Sequence, residues 1–251
     1  MLTAYETQTA RLLQNPAATT ALYSTSDLDA YINIARGQLA GEAECIRYMA
    51  SIPSVVGQQS YAFDDLDTGT SASNGIDGII NIRAIWYGVA SGKRWVPPRP
   101  FEWFSLYYLN NPVPDSGYPT VWSQFGQGAA AGSTGATGAG SFYIYPVPDT
   151  VFTIYCDCVC YPIALASDST VEAIPYLWTD AVPWYAAAYA LWASQTGARA
   201  ADAERYFNTY TTFVQRARQA ANPAVGRWQY SQAADPVQAS KLGIRAQGGG
   251  Q

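Results

Sequence analysis

The sequence predicts an α+β fold: a helical bundle from N- and C-terminal helices, a β-rich inserted middle and an extended C-terminal tail. Three observations predict it. Apolar residues recur at helical spacing over 26–50 and again over 174–221. Between them lie runs of β-branched and aromatic residues, punctuated by Gly and Pro, that read as strands. After Asn222-Pro223 the helical repeat stops, and Gln, Ala and Gly dominate.

Residues 2–14 predict a short helix that ends before Pro16. Residues 26–50 predict the main N-terminal helix, capped by Ser26 with Asp29 three residues on. Its buried face is Leu28, Ile32, Ala35, Leu39, Ala43 and Ile46. SVVGQQSYAF (54–63) reads as strand, turn, strand, and 64–78 as an acidic loop. IINIRAIWYGV (79–89), a Ser91-Gly92 turn and KRWVP form a hairpin. Pro100 starts a short helix that places Phe101, Phe104 and Tyr108 on one side. YPTVWSQFG is a strand, and the Gly/Ala-rich stretch 126–140 is a loop with nothing to pack. FYIYPVPD and TVFTIYCDCVCYP read as a strand pair.

Two aromatic, alanine-rich helices follow. Pro183 interrupts the first pattern and predicts a break or kink near Asp180–Pro183. Tyr185, Tyr189 and Trp192 line one of its faces, and Gly197 ends it. In the second helix Tyr206, Phe207, Tyr210, Phe213, Val214 and Ala217 keep the helical repeat. Neither helix pair buries its apolar face alone, so the two ends of the chain must pack together. The division expected is 1–51 plus 172–221 as a helical domain, 52–171 as the inserted β-rich domain and 222–251 as the tail.

The chain has 251 residues, and only 13% of them are charged. A typical soluble domain is nearer about 25%. The surface must therefore be rich in uncharged polar and aromatic groups, the types enriched where proteins meet, and 19 Tyr and 8 Trp supply them. The net charge is −5, but it is uneven. Through position 198 there are 7 basic and 16 acidic residues; from Arg199 onward there are 7 basic and 3 acidic. An acidic body argues against tight wrapping of nucleic acid, but it leaves open a channel through which DNA slides without sticking, because like charge repels.

There is no histidine, which removes the usual general base and the commonest metal ligand. Cys156, Cys158 and Cys160 share one face of a strand, where three sulfurs do not converge on one ion; they read as small apolar core residues of a reducing compartment. Asp64, Asp65 and Asp67 hint at a calcium loop, but the glycine is misplaced and no glutamate closes it. Glu102 has no partner carboxylate in sight, and no phosphate-cradling glycine motif is present. Trp86, Trp95, Trp103 and Trp122 are spread over different elements and read as core or interface. No catalytic, cofactor or metal residues are expected. The longest apolar run, 181–193, is too short to span a bilayer, and the first twenty residues carry Glu6 and Arg11, unlike a signal peptide. Synthesis in a cytoplasm and no membrane partner are expected.

The tail has too little apolar surface to fold alone. It places Arg227, Trp228, Tyr230, Lys241, Leu242, Ile244 and Arg245 among Gln, Ala, Pro and Gly. Two readings stand, a disordered terminus ending in Gly248-Gly249-Gly250 and a docking peptide that orders on a partner; isolated aromatics amid small polar residues favour the second.

Taken in order, the helix 26–50, VVGQQSYAF, WVPPRPFEWFSLYY, YPTVWSQFG, FYIYPVPDTVFTIYC and IPYLWTDAVPWYAAAYALWASQTG resemble the head-to-tail adaptor proteins of tailed bacteriophages, including the tail tubular adaptor of short-tailed phages. The resemblance spans about 1–221. It implies a structural virion protein at the head–tail junction, forming a ring, commonly a dodecamer, on the portal protein. Such a ring extends the DNA channel, passes DNA without sequence-specific binding and receives tail or nozzle proteins. It also implies that the C-terminal segment reaches the portal, which makes Arg227, Trp228, Tyr230, Lys241, Leu242, Ile244 and Arg245 the portal-docking candidates. The other readings are a carbohydrate- or receptor-binding tail protein using the Trp-rich β region and, last, a cell-wall hydrolase.

Overall fold

Helices from the two ends of the chain pack on each other, as the predicted apolar faces require. The fold comes from a computed structural model, which describes residues 1–15, 21–90, 92–109, 114–126, 140–194 and 199–221. Helix α1 (Leu2–Leu13) stops where Gln14 turns left-handed, with φ 55°. Helix α2 (Thr25–Ala43) opens on Ser24. The Ser24 hydroxyl accepts from the Asp27 N–H, and the Asp27 carboxylate accepts from the Ser24 N–H. The cap thus sits two residues before the expected Ser26, on the pair whose bonds both close. α2 also ends at Ala43 rather than near 50, because Glu44 turns left-handed (φ 52°) and strand β1 (Arg47–Pro53) begins. Leu28, Ile32, Ala35, Leu39 and Ala43 are all buried; Ile46 is buried too, but past the helix.

Strand β2 is Ser60–Ala62; Ser54–Val56 lie outside any strand, and the chain turns over Val55–Gln58, where the Gln58 N–H donates to the Val55 carbonyl at 3.0 Å. A short 3₁₀ turn and helix α3 (Ser71–Asn74) occupy the expected acidic loop. Strands β3 (Ile76–Val89) and β4 (Gly92–Val96) form the predicted hairpin. Pro100 caps helix α4 (Phe101–Phe104), which widens into a π-turn over Ser105–Leu109. Phe104 is buried with Tyr108 against it, in a small second core with Val121 and Tyr145. Strands β5 (Val121–Phe125), β6 (Ser141–Tyr145) and β7 (Thr153–Pro162) complete the β region.

The strands form two antiparallel sheets, ordered β1-β7-β3-β4 and β2-β6-β5. β6 and β7 are therefore not a hairpin. Each lies inside a different sheet, because the Pro146–Phe152 connection carries the chain from one sheet to the other. The three cysteines of β7 and Cys45 are free and buried, as expected of core residues. Burial pushes the Cys45 thiol up to about 11 and the Cys160 thiol up to about 12, so neither forms a thiolate at neutral pH.

Helix α5 (Ala181–Ala193) starts at Asp180, which puts Pro183 in its first turn. There the missing N–H has no intrahelical acceptor to lose, so the predicted break becomes the helix start. Ala186, Ala187, Ala188 and Ala190 are fully buried, which lets α1, α2 and helix α6 (Ala200–Ala221) approach α5 closely. Of the residues predicted for the inner face of α6, Tyr206, Tyr210, Val214 and Ala217 are buried, while Phe207 and Phe213 are partly covered and pack against the core. Tyr185 lies against Tyr210 at 4.8 Å and Trp192 against Phe207 at 5.3 Å. The main core runs without interruption from these helices into both sheets.

Polar contacts, the central one buried, join the two ends of the chain. Arg36 is fully buried and donates through Nε and Nη2 to Glu172, and through Nη1 to the Ile163 carbonyl at 2.6 Å. Tyr5 donates to the same carboxylate at 3.0 Å. Burial and the Glu172 charge raise the Tyr5 pKa; burial and the Glu42 carboxylate, which accepts from Tyr210 at 2.9 Å, raise that of Tyr210. The Met1 ammonium meets the Asp168 carboxylate at 2.7 Å.

Candidate interaction surface

The docking residues expected in the tail, Arg227, Trp228, Tyr230, Lys241, Leu242, Ile244 and Arg245, lie outside the described residues. The structure fixes where the tail departs. The Ala221 carbonyl at the end of α6 accepts from Arg47 Nη1 at 3.3 Å. Arg47 also forks onto Asp157 of β7, with Nε 2.9 Å from Oδ1 and Nη2 bonded to Oδ2. The β1–β7 register pairs Met49 with Asp157 and Arg47 with Val159, so these groups share one sheet face and the fork runs diagonally across it.

That is the face turned away from Ile154, Cys156, Ile85 and Val96, all of which are fully buried. An aromatic row crosses it. Ser51 of β1 pairs with Tyr155 of β7, Tyr155 with Trp86 of β3, and Trp86 with Trp95 of β4. Directly paired residues of antiparallel strands project to the same side. Opposite Lys93 stands Gly88, whose missing side chain leaves room for the Tyr155 ring, and the Lys93 ammonium sits 3.6 Å from that ring's centre. Trp95 is 54% exposed and Met49 50%. The sequence reading scattered the tryptophans; the hairpin register instead brings Trp86 and Trp95 side by side. Trp122 is buried, and Trp103 stands apart on α4 with the Arg99 guanidinium over its ring at 5.1 Å.

A second apolar surface lies at the other end of β1. Val55, Val56 and Val151 are exposed on two loops tied to each other. The Ser54 N–H donates to the Phe152 carbonyl at 2.7 Å, the Phe152 N–H to the Ser54 hydroxyl at 2.9 Å, and the Gly57 N–H to the Pro148 carbonyl at 2.9 Å. Sequence reasoning missed this clamp, because Val55-Val56 was read as strand. It also missed Arg47 and Tyr155, although Arg47/Met49 and Tyr155/Asp157 show the period of two that marks a common face.

The groups weighed for chemistry do not converge. Glu102 is exposed on α4, and Asp67 Oδ1 caps the Gly69 N–H at 2.8 Å. Among the described residues no cluster of three or more Cys, Asp or Glu could hold a metal ion, and no helix is long and apolar enough to cross a membrane. What the geometry offers is broad, rigid aromatic surface, suited to contact between macromolecules.

No curated protein matches this chain. A family model does, over residues 5–233, which covers both ends of the bundle, both sheets and the first part of the tail through Trp228 and Tyr230. The ordered segments that resemble phage head-to-tail adaptors thus fall inside one match, and the chain belongs to the family of the SU10 adaptor protein.

Proposed function

We propose that the chain is the subunit of a head-to-tail adaptor that binds the portal protein as a ring, extends the DNA channel and offers the attachment surface for tail or nozzle proteins. Membership of an adaptor family supports a structural role in a phage virion rather than catalysis. The observation that carries the finer reading is the family match from Tyr5 to Ala233. The sparse charge, the exposed aromatic sheet face and the exposed valine loops agree with it, because a ring subunit meets several neighbours. In this reading 1–51 with 172–221 form the helical unit, 52–171 the β-rich unit, and 222–251 the arm that reaches the portal through Arg227, Trp228 and Tyr230. The place of work is the head–tail junction, and DNA passes without sequence-specific contact. Many arms on one portal ring act together, so avidity exceeds the strength of a single arm.

Native mass spectrometry of this chain mixed with the portal protein of the same phage tests the reading. Addition of many copies, twelve for a dodecamer, to one portal ring is the expected result. No association between two folded proteins would overturn it. The paired Trp86 and Trp95 favour one second reading, a carbohydrate- or receptor-binding tail protein; saturable quenching of tryptophan fluorescence by sugars would support that instead.

A further inference from the structure

We infer that the segment following Ala221 folds back in the unassembled subunit and lays Trp228 and Tyr230 across the outer face of the four-stranded sheet, against Met49, Tyr155, Trp86 and Trp95. Four observations carry this. First, Arg47 holds the last carbonyl of α6 while gripping Asp157, so the chain departs from this very face, at its β1 edge. Second, the face is built to receive rings: Tyr155, Trp86 and Trp95 stand in one row, and Trp95 and Met49 are each about half exposed. Third, the reach fits. Three inter-strand spacings make the sheet about 14 Å wide from β1 to β4, and seven extended residues from Ala221 to Trp228 span about 23 Å. Fourth, Trp228 and Tyr230 alternate in sequence, so an extended segment presents both rings to one side.

The occupant is the chain's own segment rather than a neighbour's, because the tether at Ala221 gives it a local concentration on the order of millimolar. Offset and edge-to-face contacts of aromatic rings favour the seat, and Lys93 over Tyr155 adds a cation to that face. The inference does not rest on the portal reading, although a portal that binds the same two rings would have to lift them from this face.

Thiol labelling of the full chain tests it. The natural cysteines are buried, and burial raises the thiols of Cys45, Cys156, Cys158 and Cys160, so a maleimide reads only an introduced thiol. Met49→Cys is compared with the same substitution combined with Trp228→Ala and Tyr230→Ala. Gln38→Cys, on the exposed side of α2, is the control site in both backgrounds. The expected result is labelling at Cys in position 49 at least threefold faster once the two rings are removed, with position 38 unchanged. Equal rates at position 49, or equal acceleration at both positions, would overturn the inference. Protection that disappears on dilution would overturn it as well, by giving the segment to another copy. The measurement contains no portal, so a negative result leaves the adaptor reading standing.

Discussion

The Arg36 guanidinium grips the Glu172 carboxylate with two donors, Nε at 3.0 Å and Nη2 at 2.8 Å, and the side chains expose only 1% and 9% of their surface. The pair ties α2 to the segment leading into α5, and Tyr5 of α1 joins it. Removing one charge leaves the other buried without its partner, which costs about 3–5 kcal/mol. Glu172→Ala is therefore expected to lower the unfolding free energy, read from urea titration, by that much. Arg36→Met with Glu172→Leu should recover most of the loss, since a well-packed apolar pair replaces a buried ion pair at little cost. A Glu172→Ala chain as stable as the parent would remove the pair from any structural role.

Acid should loosen the N-terminus. The Met1 ammonium and the Thr3 hydroxyl and N–H hold the Asp168 carboxyl well below its ordinary 3.8, and the Ser24 hydroxyl and N–H lower that of Asp27. A depressed folded-state pKa contributes stability above the unfolded value that is lost as pH falls below it. Stability should therefore decline as pH drops below about 4. In Asp168→Asn the decline should be shallower. Thermal midpoints of the two proteins between pH 5 and pH 2 would show it, and superimposable curves would count against the contact.

Alkali should act on the core from the opposite side. Burial raises the pKa of Cys45, Tyr5 and Tyr210 above their ordinary values of 9.0, 10.0 and 10.0. A raised folded-state value gives stability that is complete below the unfolded pKa and is lost as pH rises from there toward the folded value. Stability should hold through pH 8 and fall above about pH 9–10. Tyr210→Phe would remove part of that fall, because the ring stays while the titrating hydroxyl goes. Denaturant midpoints from pH 8 to 11 provide the check.

Gly75 should not tolerate a side chain. Its φ is +70°, and a Cβ there would sit 2.5 Å from the Val171 carbonyl oxygen, a backbone atom with no rotamer to move. The left-handed conformation alone costs a non-glycine residue about 1–2 kcal/mol. Gly75→Ala is expected to exceed that, whereas Gly41→Ala, which meets nothing within 4 Å, should be neutral or slightly stabilising. Chemical denaturation of the two variants side by side makes the comparison.

Ser24→Ala should shorten α2 from its start. It deletes the acceptor for the Asp27 N–H and one half of the reciprocal cap, a loss of about 1 kcal/mol. Ser26→Ala, at the residue first expected to cap, should be silent. Amide exchange across Thr25–Leu28 distinguishes the two.

The sequence made the architecture legible where periodicity is strong. The apolar repeats of α2 and α6, the β3–β4 hairpin and the buried cysteines all stand where the pattern places them. Its errors have physical causes. Ser24 and Ser26 each have an Asp three residues on, and only the backbone bonds decide which serine caps. Adjacent strand patterns do not say whether they pair, so β6 and β7 were read as a hairpin although each seeks the interior of a different sheet. The Trp86–Trp95 pairing could have been found by counting back from the turn. The departure of the tail beside Asp157 could not, since it depends on a contact between Arg47 and Ala221 that no local pattern encodes. The portal-docking candidates themselves lie beyond the described residues, and for them the sequence remains the guide.

The division of β6 and β7 between two sheets sets an order on the chain's birth. β7 lies between β1 and β3 and pairs with both, so both earlier strands wait for it. On a ribosome reading from the N-terminus, β1 and β3 emerge long before the strand that joins them. Their unpaired edges stay open to other nascent chains until residues near Pro162 clear the exit tunnel. Slowing translation ahead of that point would prolong the exposure. The yield of soluble protein should therefore depend on codon choice between β3 and β7 more than anywhere else in the gene.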